Sequence, residues 1–317
     1  MVPTPSVTPL GEFDLIAAYF QSRAGQVSQG LGIGDDAALL TPPPGQQLVI
    51  STDTLVAGRH FPLTTDAFSI GWKSLAVNLS DLAAMGAEAT SFLLALSLPQ
   101  HDSEWLEAFS QGLFALANQT GVQLIGGDTT RSPVLSLTIT ALGWVPAGQA
   151  VCRQGMQPGD LLVVSGTPGD AAYALKHPGS PLQSRLDRPE PRLGLGQRLR
   201  GHASSMLDIS DGLAQDLSHL LRASGTGAVI ELAKLPFSPI LMALPETERW
   251  AYALQGGDDY ELCFSLPAVH WPAVCRESPV PLTVIGYSTA ESGLVLHHHG
   301  LPVSLPTRGY QHFDSAD

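Results

Sequence analysis

The chain carries its chemistry in carboxylates set into short, glycine-broken turns beside apolar runs. LGIGDDAAL, Leu31 to Leu39, holds Asp35 and Asp36 side by side. Like charges this close raise each other's pKa unless a cation or several donors compensate, so a bound metal ion is the simplest account of the pair. The arrangement recurs: Asp53 follows LVIST, Asp128 ends LIGGD, Asp208 and Asp211 frame LDISDG, and Asp258 and Asp259 follow the glycines of LQGGDDYEL. Each of these acids is expected at or near the end of a strand, where open α/β sheets put their ligand sites. Ser51 and Thr52 add hydroxyl oxygens beside Asp53 that suit a hard cation, with a cap or turn cluster as the plainer reading. Asp81 stands three residues after Asn78 on a helical pattern; the pattern by itself serves a ligand and a solvated acid equally.

Three chemistries compete for such acids. A calcium module of EF-hand type fails at LDISDG, because Asp208, Ser210 and Asp211 break the alternate-position spacing of its ligands. A two-metal hydrolase is left open by carboxylates alone, although such sites often add histidines and none of these acidic segments contains one. Phosphoryl transfer from a nucleotide is the third, with magnesium ions neutralising the phosphates. No GxxxxGK[ST] segment and no HRD or DFG signature occurs, so an unusual nucleotide fold is required.

Composition narrows the partners. The chain has 317 residues, enough for two domains, with 44% hydrophobic and 14% charged residues, which indicates packed cores. Its formal net charge of -13 repels nucleic acid and anionic membrane surfaces, so an anionic substrate would need metal ions as intermediaries. Cys152, Cys263 and Cys275 lack metal-site spacing and read as thiols of a reducing compartment. MVPTPSVTPLGEF has no signal-like core, and no run reaches membrane-spanning length, so a cytoplasmic protein is expected.

The elements that must position the acids follow from periodicity. Residues before Gly11 read as loosely ordered, and Phe13, Ile16, Ala17 and Phe20 predict a short helix over Glu12 to Gln21. A strand from Gln47 to Ile50 is expected to end in Ser51, Thr52 and Asp53. Helices are expected over Ala67 to Gly86 and Ser103 to Asn118, and strands over Ser91 to Leu98, Val122 to Ile125 and Leu135 to Val145. The glycines before Asp128 would let backbone amides approach a phosphate. A glycine- and proline-punctuated join leads to the strand Leu161 to Ser165. GTPGD, Gly166 to Asp170, then offers helix N-terminal amides to an anion or forms an ordinary turn. Arg188, Arg192, Arg198 and Arg200 make the densest basic segment, either a surface helix entry or a phosphate-contacting loop. Further strands are expected over Gly225 to Leu232, Tyr260 to Leu266, Leu282 to Ile285 and Leu294 to Leu296, with His297, His298 and His299 on an exposed turn.

Eight segments together resemble one family. GEFDLI (from Gly11), GIGDDAAL (from Gly32), STDTLVAGRHF (from Ser51), AVNLSDLAAMGA (from Ala76), LIGGDTTR (from Leu124), GTPGDAA (from Gly166), LDISDGLAQDL (from Leu207) and GGDDYEL (from Gly256) are similar to the thiamine-monophosphate kinases, in the right order. The wider superfamily holds aminoimidazole ribonucleotide and selenophosphate synthetases. No reactive Cys in a glycine-rich N-terminal segment supports the latter. The resemblance implies a two-domain α/β (α+β) fold: residues 1–148 as an N-terminal ATP- and magnesium-binding domain whose sheet forms a barrel across a homodimer, and 149–317 as a C-terminal α/β domain completing the site. It implies ATP and thiamine monophosphate giving ADP and thiamine diphosphate, with Mg2+ and no phosphoenzyme. Asp36, Ser51, Thr52, Asp53, Asp81, Asp128, Asp208 and Asp211 are similar to the family's magnesium ligands. Gly127, Asp128, Arg153 and Ser210 match positions that hold ATP, and His60, Asp258 and Tyr310 match contacts to thiamine monophosphate. The chain departs from the family at Asp258, often a glutamate there, which is one methylene longer.

Overall fold

The computed structural model describes residues 12–24, 30–307 and 309. The segment before Gly11 and Tyr310 lie outside the described residues. The chain divides into two compact units, one of residues 1–43, 50–78 and 90–142, the other of 44–49, 79–89 and 143–317.

The first unit opens with α1 (Glu12–Leu15), a π-helical turn (Ile16–Gln21) and α2 (Ser22–Ala24). The widened turn rotates the expected apolar face, so that Leu15, Tyr19 and Phe20 are buried and Ala17 is exposed. Strands β1 (Gly30–Leu31) and β2 (Leu39–Leu40) pair antiparallel and carry the Asp35–Asp36 turn between them.

Strands β3 (Gln46–Val56), β4 (Glu88–Leu98), β5 (Gln123–Arg131) and β6 (Ser136–Pro146) form a sheet in the order β3-β6-β4-β5. Two sequence expectations are corrected here. Ser51, Thr52 and Asp53 lie inside β3, and Gly127 and Asp128 inside β5. Polar side chains do not stop a strand whose backbone is paired. The Thr52 and Thr54 hydroxyls instead meet Thr140 and Thr138 across the sheet at 3.1 and 2.8 Å.

Helix α3 (Ala67–Ala84) buries Leu75, Leu79 and Leu82 completely, and α4 (Ser103–Thr120) buries Leu106, Phe109, Leu113 and Leu116. The α4 terminus is set by Asp102, whose carboxylate accepts from the Glu104 and Trp105 amides, and by Gly121 in the left-handed conformation. The two helices touch backbone to backbone. A Cβ on Gly71 would fall 2.1 Å from the Phe109 carbonyl, and one on Gly112 1.9 Å from that of Phe68.

In the second unit a seven-stranded sheet comprises β7 (Leu161–Ser165), β8 (Ser205–Asp208), β9 (Gly227–Glu231), β10 (Leu262–Leu266), β11 (Leu282–Thr289), β12 (Gly293–His298) and β13 (Leu301–Val303). Its order is β13-β12-β9-β11-β7-β10-β8, antiparallel throughout except for β9 with β12. Its acids are therefore placed by individual turns rather than along one row of parallel strand ends. Asp208 does end β8, but Asp258 and Asp259 precede β10 instead of following a strand.

The helices of this unit are α5 (Asp170–Lys176), α6 (Gln183–Asp187), α7 (Leu193–Leu199), α8 (Leu213–Ser224), α9 (Pro239–Met242), α10 (Glu246–Gln255) and α11 (Trp271–Glu277). Leu162 and Val164 of β7 join Leu213, Leu217 and Leu220 of α8 in one core. The intervening Val163 joins Leu195 and Leu199 of α7 on the other face. Each such leucine contributes roughly 1.5–3 kcal/mol by leaving water. The expected turn of histidines is also corrected: His297 and His298 finish β12, and only His299 turns, with φ 52°.

Gly112→Ala should cost about 1–3 kcal/mol through overpacking, because backbone and not a flexible side chain receives the new methyl. A thermal or denaturant midpoint equal to that of the wild type would show that the helices separate without penalty.

Candidate active site

In the first unit a cavity of about 1040 Å³ gathers Asp35 and Asp36 from the β1–β2 turn with Gly126, Gly127 and Asp128 from β5, walled by Phe20, Leu93 and Leu94. The Asp36 amide donates to the Asp35 carboxylate at 2.8 Å. Gly127 is required by the sheet itself. A bulge between Leu124 and Gly126 opposite Phe92 and Leu93 brings its Cα against β4, where a Cβ would fall 1.9 Å from the Leu94 carbonyl.

Asp53 is aimed by α3. Its amide donates to the fully buried Asn78 Oδ1 at 3.0 Å, and Asn78 Nδ2 donates to the Ser74 carbonyl. Although the Asp53 side chain keeps solvent contact, the protein crowding it raises its carboxyl above the usual range. His60 accepts the Val56 amide on Nδ1 at 2.9 Å, which puts the proton of the neutral ring on Nε2.

The second unit places Asp208 under Ser80, whose hydroxyl donates to its Oδ2 at 2.7 Å. Burial foremost, and then the charge of Asp81, push the Asp208 carboxyl up to about 8. The Asp81 charge thus reaches Asp208, its fellow in the predicted ligand set. Asp211 and Ser210 sit on the turn into α8, and Asp211 accepts from Gln215 at 3.2 Å. Arg153 is exposed, and its charge lowers the neighbouring His219, after burial as the larger cause, while Asp211 acts on the same ring in the opposite sense. The Asp258 amide donates to the Ser210 carbonyl at 2.9 Å, so the GGDDYEL segment lies on the LDISDG turn.

Three acids that the sequence reading left without a role anchor these turns. Asp216 accepts the Ser210 and Asp211 amides at 3.0 and 2.9 Å, and burial raises its carboxyl to about 7. Asp259 is buried and takes the Gly169 and Ala171 amides at the start of α5 at 2.8 and 3.5 Å. Of the two readings of GTPGD, an anion site or an ordinary turn, the amides are thus taken by the chain's own Asp259 carboxyl, whose burial raises its pKa well above normal. Glu261, fully buried, binds Arg185 at 2.7 Å and the Arg192 Nε at 2.8 Å. Burial alone would raise it, but the arginines hold its carboxyl below the usual range. Arg192 therefore belongs to an internal ion pair and not to a phosphate loop, whereas Arg188 and Arg198 are exposed. The signal for all three was present in LDISDGLAQDL and GGDDYEL, but their amide and arginine partners lie 5 to 90 residues away.

Of the predicted ligands, Asp36 and Asp128 line the cavity beside Asp35, Ser51, Thr52 and Asp53 lie on β3, and Asp81, Asp208 and Asp211 belong to the second unit. Among the described residues no three His, Cys, Asp or Glu side chains gather into a group able to hold a metal ion by themselves. None of the described helices is long and apolar enough to cross a membrane.

Residues 34–145 match the family model described as AIR synthase related protein, N-terminal domain, and residues 157–299 match the AIR synthase related protein, C-terminal domain. The thiamine-monophosphate kinase of Escherichia coli (strain K12) is 49% identical over 326 residues, covering 96% of this chain and 98% of the relative. This chain belongs to the thiamine-monophosphate kinase family. Among solved structures, the thiamine-monophosphate kinase from Stenotrophomonas maltophilia K279a is 46% identical with a TM-score of 0.84, covering 91% of this chain and 97% of that one. AaThiL complexed with AMPPCP and TMP is 30% identical with a TM-score of 0.75, covering 96% and 97%. The two AIR synthase related domains of this family account for the two-domain α/β architecture.

The raised Asp208 gives a pH prediction for this family member. An acid whose folded pKa is about 8 stabilises the fold fully below its unfolded value near 4, and that contribution is lost as the pH rises toward 8. Metal-free Asp208→Asn should therefore melt above the metal-free wild type at pH 9 and close to it at pH 4. Equal melting of both proteins at every pH would contradict a buried, like-charge Asp208.

Proposed function

We infer that this chain transfers the γ-phosphoryl group of ATP to thiamine monophosphate, releasing ADP and thiamine diphosphate, the last step in making that cofactor. The observation that carries the reading is the 49% identity to a thiamine-monophosphate kinase over 96% of the chain. The acceptor nucleophile is itself a phosphate oxygen, so the reaction asks for charge screening and alignment more than for a base.

Carboxylates and hydroxyls are the oxygen donors magnesium prefers, and the Asp81–Asp208 pair presents like charges that a divalent cation would offset. We assign magnesium binding to Asp36, Ser51, Thr52, Asp53, Asp81, Asp128, Asp208 and Asp211. Bound there, magnesium would neutralise the phosphates of both substrates. Gly127, Asp128, Arg153 and Ser210 hold ATP in this reading. His60 donates from Nε2 to the acceptor, because Val56 occupies Nδ1; Asp258 and Tyr310 take the thiamine side. Residues 1–148 form the ATP- and magnesium-binding domain and 149–317 the C-terminal one. The enzyme works in the cytoplasm as a homodimer. Edge strand β3, which exposes Leu48 at 43% and Ile50 at 57%, supports a sheet closed into a barrel by a second copy.

Incubation with ATP, magnesium and thiamine monophosphate should yield thiamine diphosphate, with no product in excess chelator and poor use of free thiamine. Efficient phosphorylation of free thiamine, or turnover untouched by chelator, would refute the assignment.

Asp53→Asn and Asp128→Asn keep shape but remove a charge, and each should lower kcat by on the order of a hundredfold with an unchanged melting midpoint. A folded variant with near wild-type turnover at modest magnesium would remove that residue from the ligand set.

A further inference from the structure

The segment Gly257 to Glu261 is held more tightly than any contact of its own side chains with solvent would require. Asp258 and Tyr260 are two of the three non-glycine residues with positive φ among the described residues, at 66° and 52°. Such a conformation costs an ordinary side chain energy and persists only where its surroundings over-determine it. Those surroundings are on both sides. The Asp258 and Tyr260 amides donate to the Ser210 and Ile209 carbonyls at 2.9 and 2.8 Å, and a Cβ on Gly257 would fall 2.2 Å from the Ser210 carbonyl. Asp259 is fixed to the amides that open α5, and Glu261 to Arg185 and Arg192. Between these anchors the Tyr260 ring is buried, 8% exposed, and its hydroxyl donates to the Asp258 Oδ1 at 2.9 Å. The backbone strain therefore delivers one product: a tyrosine hydroxyl aimed at a half-buried carboxylate two residues earlier.

We propose that Tyr260 is the positioning residue for acceptor recognition, fixing the Asp258 carboxylate so that its second oxygen meets thiamine monophosphate. The proposal rests on the reading of Asp258 as an acceptor contact. An aspartate with one fewer methylene than glutamate reaches less far, and a short side chain left free to rotate would spend little time in one rotamer. The phenol restricts that rotation through its hydrogen bond to Oδ1. Burial of the ring between Asp259 and Glu261 makes the hydroxyl position a property of the fold rather than of the ligand.

The test is Tyr260→Phe, which keeps the buried ring and removes only the donor. The Michaelis constant for thiamine monophosphate should rise about tenfold, within the range of one charge-assisted hydrogen bond. The constant for ATP, kcat and the melting midpoint should stay near those of the wild type. Asp258→Gly, which suits φ 66° and leaves no carboxylate to aim, should raise the acceptor constant by itself, and adding Tyr260→Phe to it should raise it no further. If Asp258→Gly weakens acceptor binding and Tyr260→Phe does not, the contact stands and the positioning role falls. If neither variant changes the acceptor constant, the contact itself fails and takes the proposal with it. A Tyr260→Phe protein that is unfolded, or that loses kcat and both constants together, assigns the hydroxyl to stability and overturns the proposal.

Discussion

A carboxylate taken out of water must find donors or a cation, or else give up its charge, and the second unit shows graded answers to that demand. Glu261 receives two guanidinium groups and a serine hydroxyl and is held ionised. Asp259 and Asp216 receive only backbone amides, too little to cancel their burial. Asp208 receives one hydroxyl and faces a second acid, Asp81. Asp208 stands beside another assigned ligand, while Asp216, Asp259 and Glu261 shape turns of the same unit.

The first unit meets a different constraint, the close approach of backbones. Gly71 and Gly112 let α3 and α4 touch, and α3 in turn presents Asn78 to the Asp53 amide. Gly127 lets the bulged β5 lie against β4, which sets Asp128 on the cavity beside Asp35 and Asp36. A glycine here serves packing first. Whatever access it gives to a phosphate follows from the same missing Cβ.

The acidic run from Asp258 to Glu261 shows how neighbouring charges divide into separate duties. Asp258 and Tyr260 take left-handed φ, and the Asp258 carboxylate meets the Tyr260 hydroxyl. Asp258 stays half-buried and reachable, while Asp259 and Glu261 are buried on amides and arginines respectively.

Local chemistry was legible in the residues themselves. Adjacent acids in glycine turns and the net charge of -13 left a metal-dependent hydrolase and phosphoryl transfer both open, and the order of the motifs marked the family. Periodicity located α3, α4 and most strands, because amphipathic patterns report burial directly. What the sequence could not show was partnership across distance. It could not tell that β3 runs on through its polar residues, where threonine pairs across to β6, or that β5 does so against β4. Nor could it show that Arg192 is spent on Glu261, that GTPGD binds the chain's own Asp259, or that Asp216 clamps the Asp211 turn. Burial, and with it the fate of each charge, is decided only when the segments come together. Residue type supplies the carboxylate, and tertiary structure decides whether amides, arginines or another acid faces it.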